Sequence, residues 1–284
     1  MVSSRKICRR KLPLFKMFTY FILIIITVFF LFPIYWMIVT SFKPPTEITV
    51  KIPVLIPKNP TLKPYEYVFT LTDFVRQFFN SIIVALGTTA AGAMVGTFSG
   101  YALSRFTFKG KKIFSMYLLA IYMIPGVFLL LPLYLILKSL FLTNTHLGLI
   151  LTHLTFALPF SIWMMKGYFD SLPVDMEESA LVDGCSRVGA VVRIAMPLAA
   201  PGVAATALYC FVLSWQEYLF AVTIMASEEM RTLPVGVAAF MSWATLEWGP
   251  IMAFVTLMTI PTMIFFAYLQ KFLIQGLTAG AIKG

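Results

Sequence analysis

Long apolar runs separated by shorter polar connections dominate the sequence from residue 17 onward. Six such runs stand out, at about 17–42, 79–105, 113–137, 146–168, 198–226 and 250–274. Each is long enough for one membrane-spanning helix, which takes about 20 residues. The pattern therefore predicts an all-α, polytopic membrane protein with six transmembrane helices.

The longer connections divide the chain further. We expect an N-terminal segment, 1–16, and a transmembrane domain, 17–284, interrupted by connections at 43–78, 169–197 and 227–249. The first connection is rich in proline, so we expect the tract 43–77 to be irregular rather than helical. Its prolines are Pro44, Pro45, Pro53, Pro57, Pro60 and Pro64.

Prolines and glycines inside the apolar runs predict features of the helix bundle. Gly92, Gly96 and Gly100 recur every four residues, which predicts close packing of another helix along that stripe. Broken helices are tolerated in membranes where protein or a water-filled cavity satisfies the freed carbonyls. Four prolines within the runs are expected to kink or break their helices: Pro125, Pro132, Pro159 and Pro261.

Composition agrees with this pattern. The chain of 284 residues is 60% hydrophobic and only 12% charged, whereas a soluble domain has about 25% charged residues. The formal net charge of +10 does not indicate nucleic-acid binding, because the basic residues sit beside apolar runs. Cys8, Cys185 and Cys210 lack the spacing of a disulfide framework or a metal site, so we expect neither.

Charge placement predicts the orientation. A dense basic cluster precedes the first run, and the 105–112 turn is also basic, whereas 227–249 contains three glutamates against Arg231. The basic residues of 43–78 weaken this contrast, but the N-terminal cluster decides it, so both termini and residues 169–197 are expected in the cytoplasm. The run 17–42 is too long for a signal peptide and is kept as the first span.

The segment 171–202 is the most informative connection. Pro173 followed by three acids, Asp175, Glu177 and Glu178, predicts a helix start, and Gly184 predicts its end. A second short helix is expected from about Ser186 to Met196, before Pro197. A structured insert of this kind suits a segment that a partner protein binds and moves as a rigid body. The alternative is a helix resting on lipid, which the acids disfavour because anionic headgroups repel them.

Polar residues within the runs are candidates for a solute path. Trp215, Gln216 and Glu217 form the most polar cluster inside a run, and an ionisable residue in a membrane helix is a functional candidate. The alternative is that they hydrogen-bond to neighbouring helices. Weaker candidates of the same kind are Asn80, Ser81, His153 and Thr155.

The order Glu178-Ser179-Ala180, Asp183-Gly184, Ile194 and Pro197 resembles the EAA loop of ABC importer permeases. Ser179 replaces the usual Ala and Met196 the common Leu, and Val191 stands where the sugar branch often has an aromatic residue. Three further motifs, at 32–43, 101–106 and 276–284, are similar to the shorter six-span subunit of the maltose-transporter type. The resemblance thus covers nearly the whole chain.

The resemblance implies a type I permease fold and an importer for a sugar, with a di- or oligosaccharide expected. It also implies a second permease, two ATPase subunits that hold ATP and Mg, and an extracytoplasmic solute-binding protein. The 227–249 loop, with Trp243 and Trp248, would approach the binding protein, although Trp is also common at membrane interfaces. Residues implied in ATPase coupling are Glu178, Ser179, Ala180, Asp183, Gly184, Arg187, Ile194 and Pro197.

Other functions fit less well. Glycerol phosphate remains an alternative cargo, since importers of several polar solutes share this subunit type. An ion-coupled secondary transporter should show repeated broken spans and more intramembrane charges than Glu217. An intramembrane enzyme is disfavoured because no HExxH or G-x-S-x-G motif occurs, and without a Walker A motif the chain is not expected to hydrolyse ATP.

Overall fold

The computed structural model describes residues 13–243 and 247–281, and the side chains of residues 16–242 and 247–274. These residues contain helices and no strand, as predicted. The helices are α1 (Pro13–Thr40), α2 (Pro45–Ile48), α3 (Lys63–Leu71), α4 (Phe74–Arg105), α5 (Lys111–Tyr122), α6 (Gly126–Ser139), α7 (His146–Asp170), α8 (Asp175–Val182), α9 (Arg187–Ala190), α10 (Met196–Leu198), α11 (Ala200–Trp215), α12 (Leu219–Ile224), α13 (Leu233–Trp243) and α14 (Trp248–Ala281), with a π-helical turn at Val191–Ala195 and a 3₁₀ turn at Glu228–Met230.

Six membrane-crossing elements are present when each bent pair of helices is counted as one. Within the described residues, α1, α4, α7 and α14 are long and apolar enough to cross a membrane alone. The other two crossings are bent: α5 and α6 meet at 98°, and the segment Arg187–Leu198 meets α11 at 73°. The described helices thus give four crossings, or up to six with the bent pairs, and the predicted six agrees with the upper count; Arg187–Leu198 falls in the connection 169–197 rather than in the predicted fifth span, 198–226.

The chain divides into two compact units. The smaller one comprises Met1–Val68 and Thr245–Thr256, and the larger one comprises Phe69–Ala244 and Leu257–Gly284. The larger unit contains the helices that carry the predicted coupling and path residues, and the smaller one contains the proline-rich tract.

The glycine stripe of α4 packs closely against α7 and α11, as predicted. A Cβ atom on Gly92 would lie 2.7 Å from Cys210 Sγ of α11, and one on Gly96 would lie 2.8 Å from Ser161 Cβ of α7. A Cβ atom on Gly100 would lie 2.6 Å from Met165 Cβ. Because these distances leave no room for a methyl group, the absence of side chains lets α7 and α11 approach α4 closely.

The prolines affect their helices unequally. Pro125 directly precedes α6 and lies at the 98° bend, so this helix is broken there as predicted. Pro132, Pro159 and Pro261 instead lie inside α6, α7 and α14, whose helical assignments continue through them. The expectation was that these three prolines would kink or break their helices; none of them breaks its helix, because a continuous apolar helix with tertiary support tolerates a proline in a membrane.

The tract 43–77 is more ordered than predicted. It contains the short helix α2, the nine-residue helix α3 and the start of α4. Proline is tolerated in the first turn of a helix, where its missing N–H would lack a partner anyway, and Pro45 and Pro64 stand at such positions. The expectation of a wholly irregular connection is therefore wrong for these segments.

Hydrogen bonds to one carboxylate organise the turn between α2 and α3 in the smaller unit. Glu47 accepts from the backbone N–H groups of Lys58 and Asn59, each at 2.9 Å. The bond from Lys58 is the main reason that the pKa of Glu47 lies below its usual range. Beside it, burial lowers the pKa of Lys43, whose ammonium lies 4.0 Å from the centre of the Trp36 ring.

The connection 227–249 contains a helix that the hydrophobic pattern did not identify. The eleven-residue helix α13 is apolar, and its first residues Leu233 and Val235 are buried. Its start is fixed by Ser81 of α4, whose Oγ accepts from Leu233 N at 2.8 Å. The segment is too short to cross a membrane on its own, which is why counting long apolar runs missed it.

Candidate functional site

Helix α8 ends with a turn that requires glycine. Gly184 has a φ of 85°, a conformation that costs residues with a Cβ roughly 1–2 kcal/mol. The N–H of Gly184 donates to Leu181 O at 3.1 Å, and that of Cys185 donates to Ala180 O at 2.9 Å. These two bonds form a Schellman motif, which satisfies carbonyls at the end of the helix. The predicted stop at Gly184 is confirmed.

The second short helix begins as predicted and extends slightly further. Ser186 precedes α9, and its Oγ accepts from Gly189 N at 3.1 Å, so it is a standard N-cap. The helix then passes through the π-helical turn into α10, which ends at Leu198 rather than before Pro197. Buried Ala195 and Ala199 pack against Met165 and Phe169 of α7, which holds the far end of the segment on the bundle.

Two neighbouring glutamates of α8 have different environments. Glu177 is buried, and its Oε1 lies 2.8 Å from Arg105 Nε at the end of α4. Glu178 is exposed on the other side of the helix. The sequence pattern singled out Glu178 and gave Glu177 no role beyond the helix start. The signal that could have distinguished them is helical position, since Glu177 shares the buried face with Ala180 three residues later.

The residues predicted to contact an ATPase are mostly exposed on this segment. Exposed positions are Glu178, Ser179, Asp183, Gly184, Arg187 and Pro197, whereas Ala180 is buried and Ile194 is half-buried. Between them, large apolar side chains are also exposed, Val182 to 87% and Val188 to 72%. Charged groups around exposed apolar ones are typical of a surface that binds another protein.

A second polar cluster lies inside the bundle, where the predicted fifth span is interrupted. Glu217 stands between α11 and α12, and its carboxylate accepts from Phe220 N at 2.8 Å and Ala221 N at 3.0 Å. Its Oε2 also lies 3.3 Å from His153 Nε2 of α7, while His153 Nδ1 lies 2.7 Å from Ser214 Oγ. The break in the helix thus has its backbone groups satisfied by side chains.

A cavity of about 1030 Å³ lies beside this cluster. Both breaks reach it, since Ile124 and Gly126 flank Pro125 on one side and residues 216–218 line the other. Its polar and aromatic lining consists of Tyr122, Thr155, Phe156, Tyr209, Gln216, Glu217 and Tyr218. Both helix breaks thus border this cavity.

Four of the predicted path candidates do not line this cavity: Asn80, Ser81, Trp215 and His153, which contacts Glu217 as described above. Asn80 Nδ2 donates to the carbonyls of Glu229 and Arg231, both at 2.9 Å, and Ser81 binds the start of α13. Trp215 is buried, stacks on Phe211 with ring centres 5.5 Å apart and donates to Met258 O at 3.1 Å. Gln216, Glu217 and Thr155 are thus the predicted candidates that the cavity brings together.

The predicted binding-protein residues lie at the far end of 227–249. The side chain of Trp243 lies outside the described residues. Trp248 begins α14, is 42% exposed and lines a cavity of about 580 Å³ together with Tyr67 and Glu247 of the smaller unit. A half-exposed Trp beside a cavity fits an interface role and a membrane-interface role equally.

The chain matches a family model described as binding-protein-dependent transport system inner membrane component over residues 91–279. This range contains α8 to α10 and both helix breaks. It therefore covers every element that forms the exposed loop surface and the cavity.

Among similar proteins, the inner membrane ABC transporter permease protein YcjP of Escherichia coli is 37% identical over 256 residues, which cover 89% of this chain and 91% of that protein. The trehalose/maltose transport system permease protein MalG of Thermococcus litoralis is 35% identical over 92% of this chain and 94% of its own. The diacetylchitobiose uptake system permease protein DasC of Streptomyces coelicolor is 33% identical, covering 89% and 92%.

The fold is also that of a solved structure. A chain in the crystal structure of a bacterial ABC transporter involved in the import of the acidic polysaccharide alginate superposes with a TM-score of 0.73 at 21% identity, covering 91% of this chain and 96% of that chain. The predicted resemblance and the type I permease fold are both confirmed. The chain therefore belongs to the family of inner membrane components of binding-protein-dependent transport systems, the permease subunits of ABC importers.

Proposed function

We propose that this permease subunit forms half of the translocation path for a di- or oligosaccharide. Relatives named for trehalose/maltose and diacetylchitobiose transport support a sugar as cargo. The cavity at the two helix breaks is the structural observation that supports a path, because it combines the carboxylate of Glu217 and the amide of Gln216 with tyrosine rings. Sugars are bound by polar groups that fix their hydroxyls and by aromatic rings that cover their faces.

In this proposal Glu217 and Gln216 are the groups most able to bind solute hydroxyls. The side chain of Glu217 remains 15% exposed although its carboxylate holds the start of α12. It can therefore accept a hydrogen bond from a solute without giving up its structural bonds. Thr155 faces the same cavity from α7. Asn80, Ser81 and Trp215 would instead support the path from outside, through the packing described above.

We place the coupling segment, both termini and the 105–112 turn on the cytoplasmic side. The end of α4 and the segment 169–197 share one face of the bundle because Arg105 contacts Glu177. The start of α4 lies at the other end, where Asn80 binds His146, the first residue of α7, at 2.9 Å and the segment before α13. This pairing supports the orientation given by the basic residues.

The exposed face of α8 and α9 would dock on a separate ATPase subunit, which would bind ATP and Mg. Directional polar contacts would come from Glu178, Asp183 and Arg187. The apolar core of the contact would come from Val182 and Val188. A second permease would complete the path, and an extracytoplasmic binding protein would deliver the solute near Trp243 and Trp248. This chain would then transmit motion and line a path, and hydrolysis would occur on its partner.

Reconstitution of the complete importer in liposomes tests the proposal. Maltose, trehalose and diacetylchitobiose would each be added with the cognate binding protein, and we expect one of them to stimulate ATP hydrolysis and to accumulate in the vesicles. Stimulation by glycerol phosphate alone would overturn the sugar assignment.

A Glu217→Gln variant tests the path itself. It keeps one carbonyl oxygen as acceptor but loses the charge, so we expect uptake to fall while the assembled complex is recovered at the same yield. Loss of the complex would show that Glu217 serves packing alone. Val222→Thr, on the exposed face of α12, is the matched control and should leave uptake unchanged.

A further inference from the structure

One arginine at the end of α4 joins three parts of the larger unit. Arg105 Nε donates to Glu177 Oε1 of α8 at 2.8 Å. Its two terminal nitrogens reach the end of α7 and the residues after it, donating to Phe169 O at 2.9 Å and to Leu172 O at 3.3 Å. The guanidinium has a planar fork of donors that can reach several acceptors at once, whereas a lysine ammonium cannot reproduce this geometry.

The contact is buried and has further support. The side chains of Arg105 and Glu177 are only 10% and 9% exposed. The second carboxylate oxygen of Glu177 accepts from the hydroxyl of Tyr101 at 2.7 Å, so both oxygens are bonded. The Tyr101 ring packs edge-on against Phe169, with ring centres 5.3 Å apart. Burial protects such a pair from screening by salt.

Helix α8 has few other attachments to the bundle. Among its side chains only Glu177 and Ala180 are buried, and the remaining ones of this described helix are half-exposed or exposed. Glu177 is therefore the one charged group through which α8 is held against α4. Just above this point, Gly100 brings the backbone of α4 against Met165 and Lys166 of α7, so α4 and α7 themselves are tightly packed.

We propose that Arg105 is a positioning residue that locks α8 to the ends of α4 and α7, so that the three helices move as one body. The inference rests on the proposed coupling of α8 to an ATPase. It assigns different roles to two adjacent acids. Glu178 faces the partner, and Glu177 passes the displacement of α8 through Arg105 to α7, whose Thr155 and Phe156 line the cavity, and to α4, which is packed against α7. A displacement of α8 without this contact would bend the connections at 171–174 and 183–186 instead.

Distance measurements on the assembled importer test the rigid-body prediction directly. Spin labels would be placed on Ser179→Cys of α8 and Phe79→Cys, exposed near the start of α4, in a chain without native cysteines. Between the nucleotide-free complex and the complex trapped with MgATP and vanadate, we expect one narrow, unchanged distance. A shift of that distance on trapping would show that α8 moves relative to α4 and would overturn the proposal.

The variant Arg105→Met tests whether the contact transmits motion. In the parent complex, trapping should change the rate at which a maleimide reacts with Gln216→Cys in the cavity. In Arg105→Met we expect this change to be lost and the spin-label distance to broaden, while ATPase subunits still co-purify and hydrolyse ATP. Lys112→Met, an exposed position on the following turn, is the matched control and should behave as the parent.

Two outcomes would overturn the proposal. If Arg105→Met lowers assembly, ATP hydrolysis and the maleimide reactivity of Gln216→Cys together, the role of Arg105 is purely structural. If the reactivity still changes on trapping as in the parent, Arg105 does not transmit the motion. If Arg105→Met does not assemble, Arg105→Lys replaces it, because it keeps the charge and loses the fork. A parent complex that binds no ATPase subunits would refute the proposed coupling function itself, and with it this inference. These outcomes distinguish the two failures.

Discussion

The α4–α7 interface and the attachment of α8 are held by opposite means. Along α4, three glycines remove side chains, and the backbones approach each other with no space for a methyl group. Helix α8 is instead held by a buried ion pair at one end of α4, and most of its surface is exposed. Close packing of the backbones holds α4 against α7, whereas an ion pair holds α8 against α4. A loop that must bind a partner can thus keep its outer face free and still be firmly placed.

The largest effect on folding is expected at Gly100, where the close approach of α4 and α7 leaves no space for a side chain. In Gly100→Leu the new side chain would overlap Met165, and overpacking costs typically about 1–3 kcal/mol and more where backbone must move. We expect little folded protein, measured as the monodisperse fraction after detergent extraction. Gly167→Leu is the control in α7, because nothing lies near its Cβ position. Equal yields of both variants would contradict the close-packing interpretation.

Breaking the ion pair should loosen α8 while leaving the bundle intact. Glu177→Ala leaves the Arg105 guanidinium buried without its partner, which costs on the order of 3 kcal/mol for a buried pair. We expect faster amide hydrogen exchange in 175–190 and unchanged exchange in α4 and α7. Glu178→Ala, one residue on and exposed, should leave the exchange of the isolated subunit unaltered. Faster exchange throughout α4 would mean that the pair stabilises the whole bundle.

The turn after α8 should show a smaller effect with a functional consequence. Gly184→Ala forces a Cβ into a φ of 85°, at a cost of about 1–2 kcal/mol. We expect the variant to insert and fold but to hydrolyse ATP without transport. Gly110→Ala carries the same strain, with φ of 90°, in the turn before α5. If both variants transport normally, the shape of the loop turn does not contribute to coupling.

The smallest expected effect concerns the N-cap of α9. Ser186→Ala removes the bond to Gly189 N, and loss of such a cap costs about 1 kcal/mol. Hydrogen exchange should rise at residues 187–190 alone, with transport close to that of the parent. Ser186→Asp should restore protection, because Asp is an equally good cap. Unaltered exchange in Ser186→Ala would show that the buried alanines beyond it already hold this helix.

Local rules predicted local features well. The acids in the first turn of α8, the glycine after it and the serine before α9 each act through neighbours in sequence, and the structure has all three in those positions. The rules failed where distant residues compensate. Helices α2 and α3 form in a proline-rich tract, and α13 was missed by a search for long apolar runs.

In the candidate site, too, the sequence predicted features that depend on neighbouring residues and missed contacts between distant ones. Glu217 was identified from the sequence as an acid within an apolar run, but its partner His153 comes from α7, and His153 in turn contacts Ser214 of α11. The sequence also gave Asn80, Ser81 and Trp215 as path candidates with packing as the alternative, and in the structure they bind the segment before α13, the start of α13 and α14. Side chains of similar polarity form different contacts because different residues surround them in the folded chain.

Hydrophobic length, flanking charge and the coupling-loop motif together determined that this chain crosses a membrane and belongs to an importer, because each depends on residues adjacent in sequence. Only the tertiary structure decided which glutamate faces inward and which helix breaks meet at one cavity. Glu177 and Glu178 are chemically identical neighbours, and the position of Arg105, 72 residues earlier in the chain, separates their roles. Such a contact arises because α4 packs on α7; the glycine stripe of α4 predicted a closely packed helix but not which helix it would be.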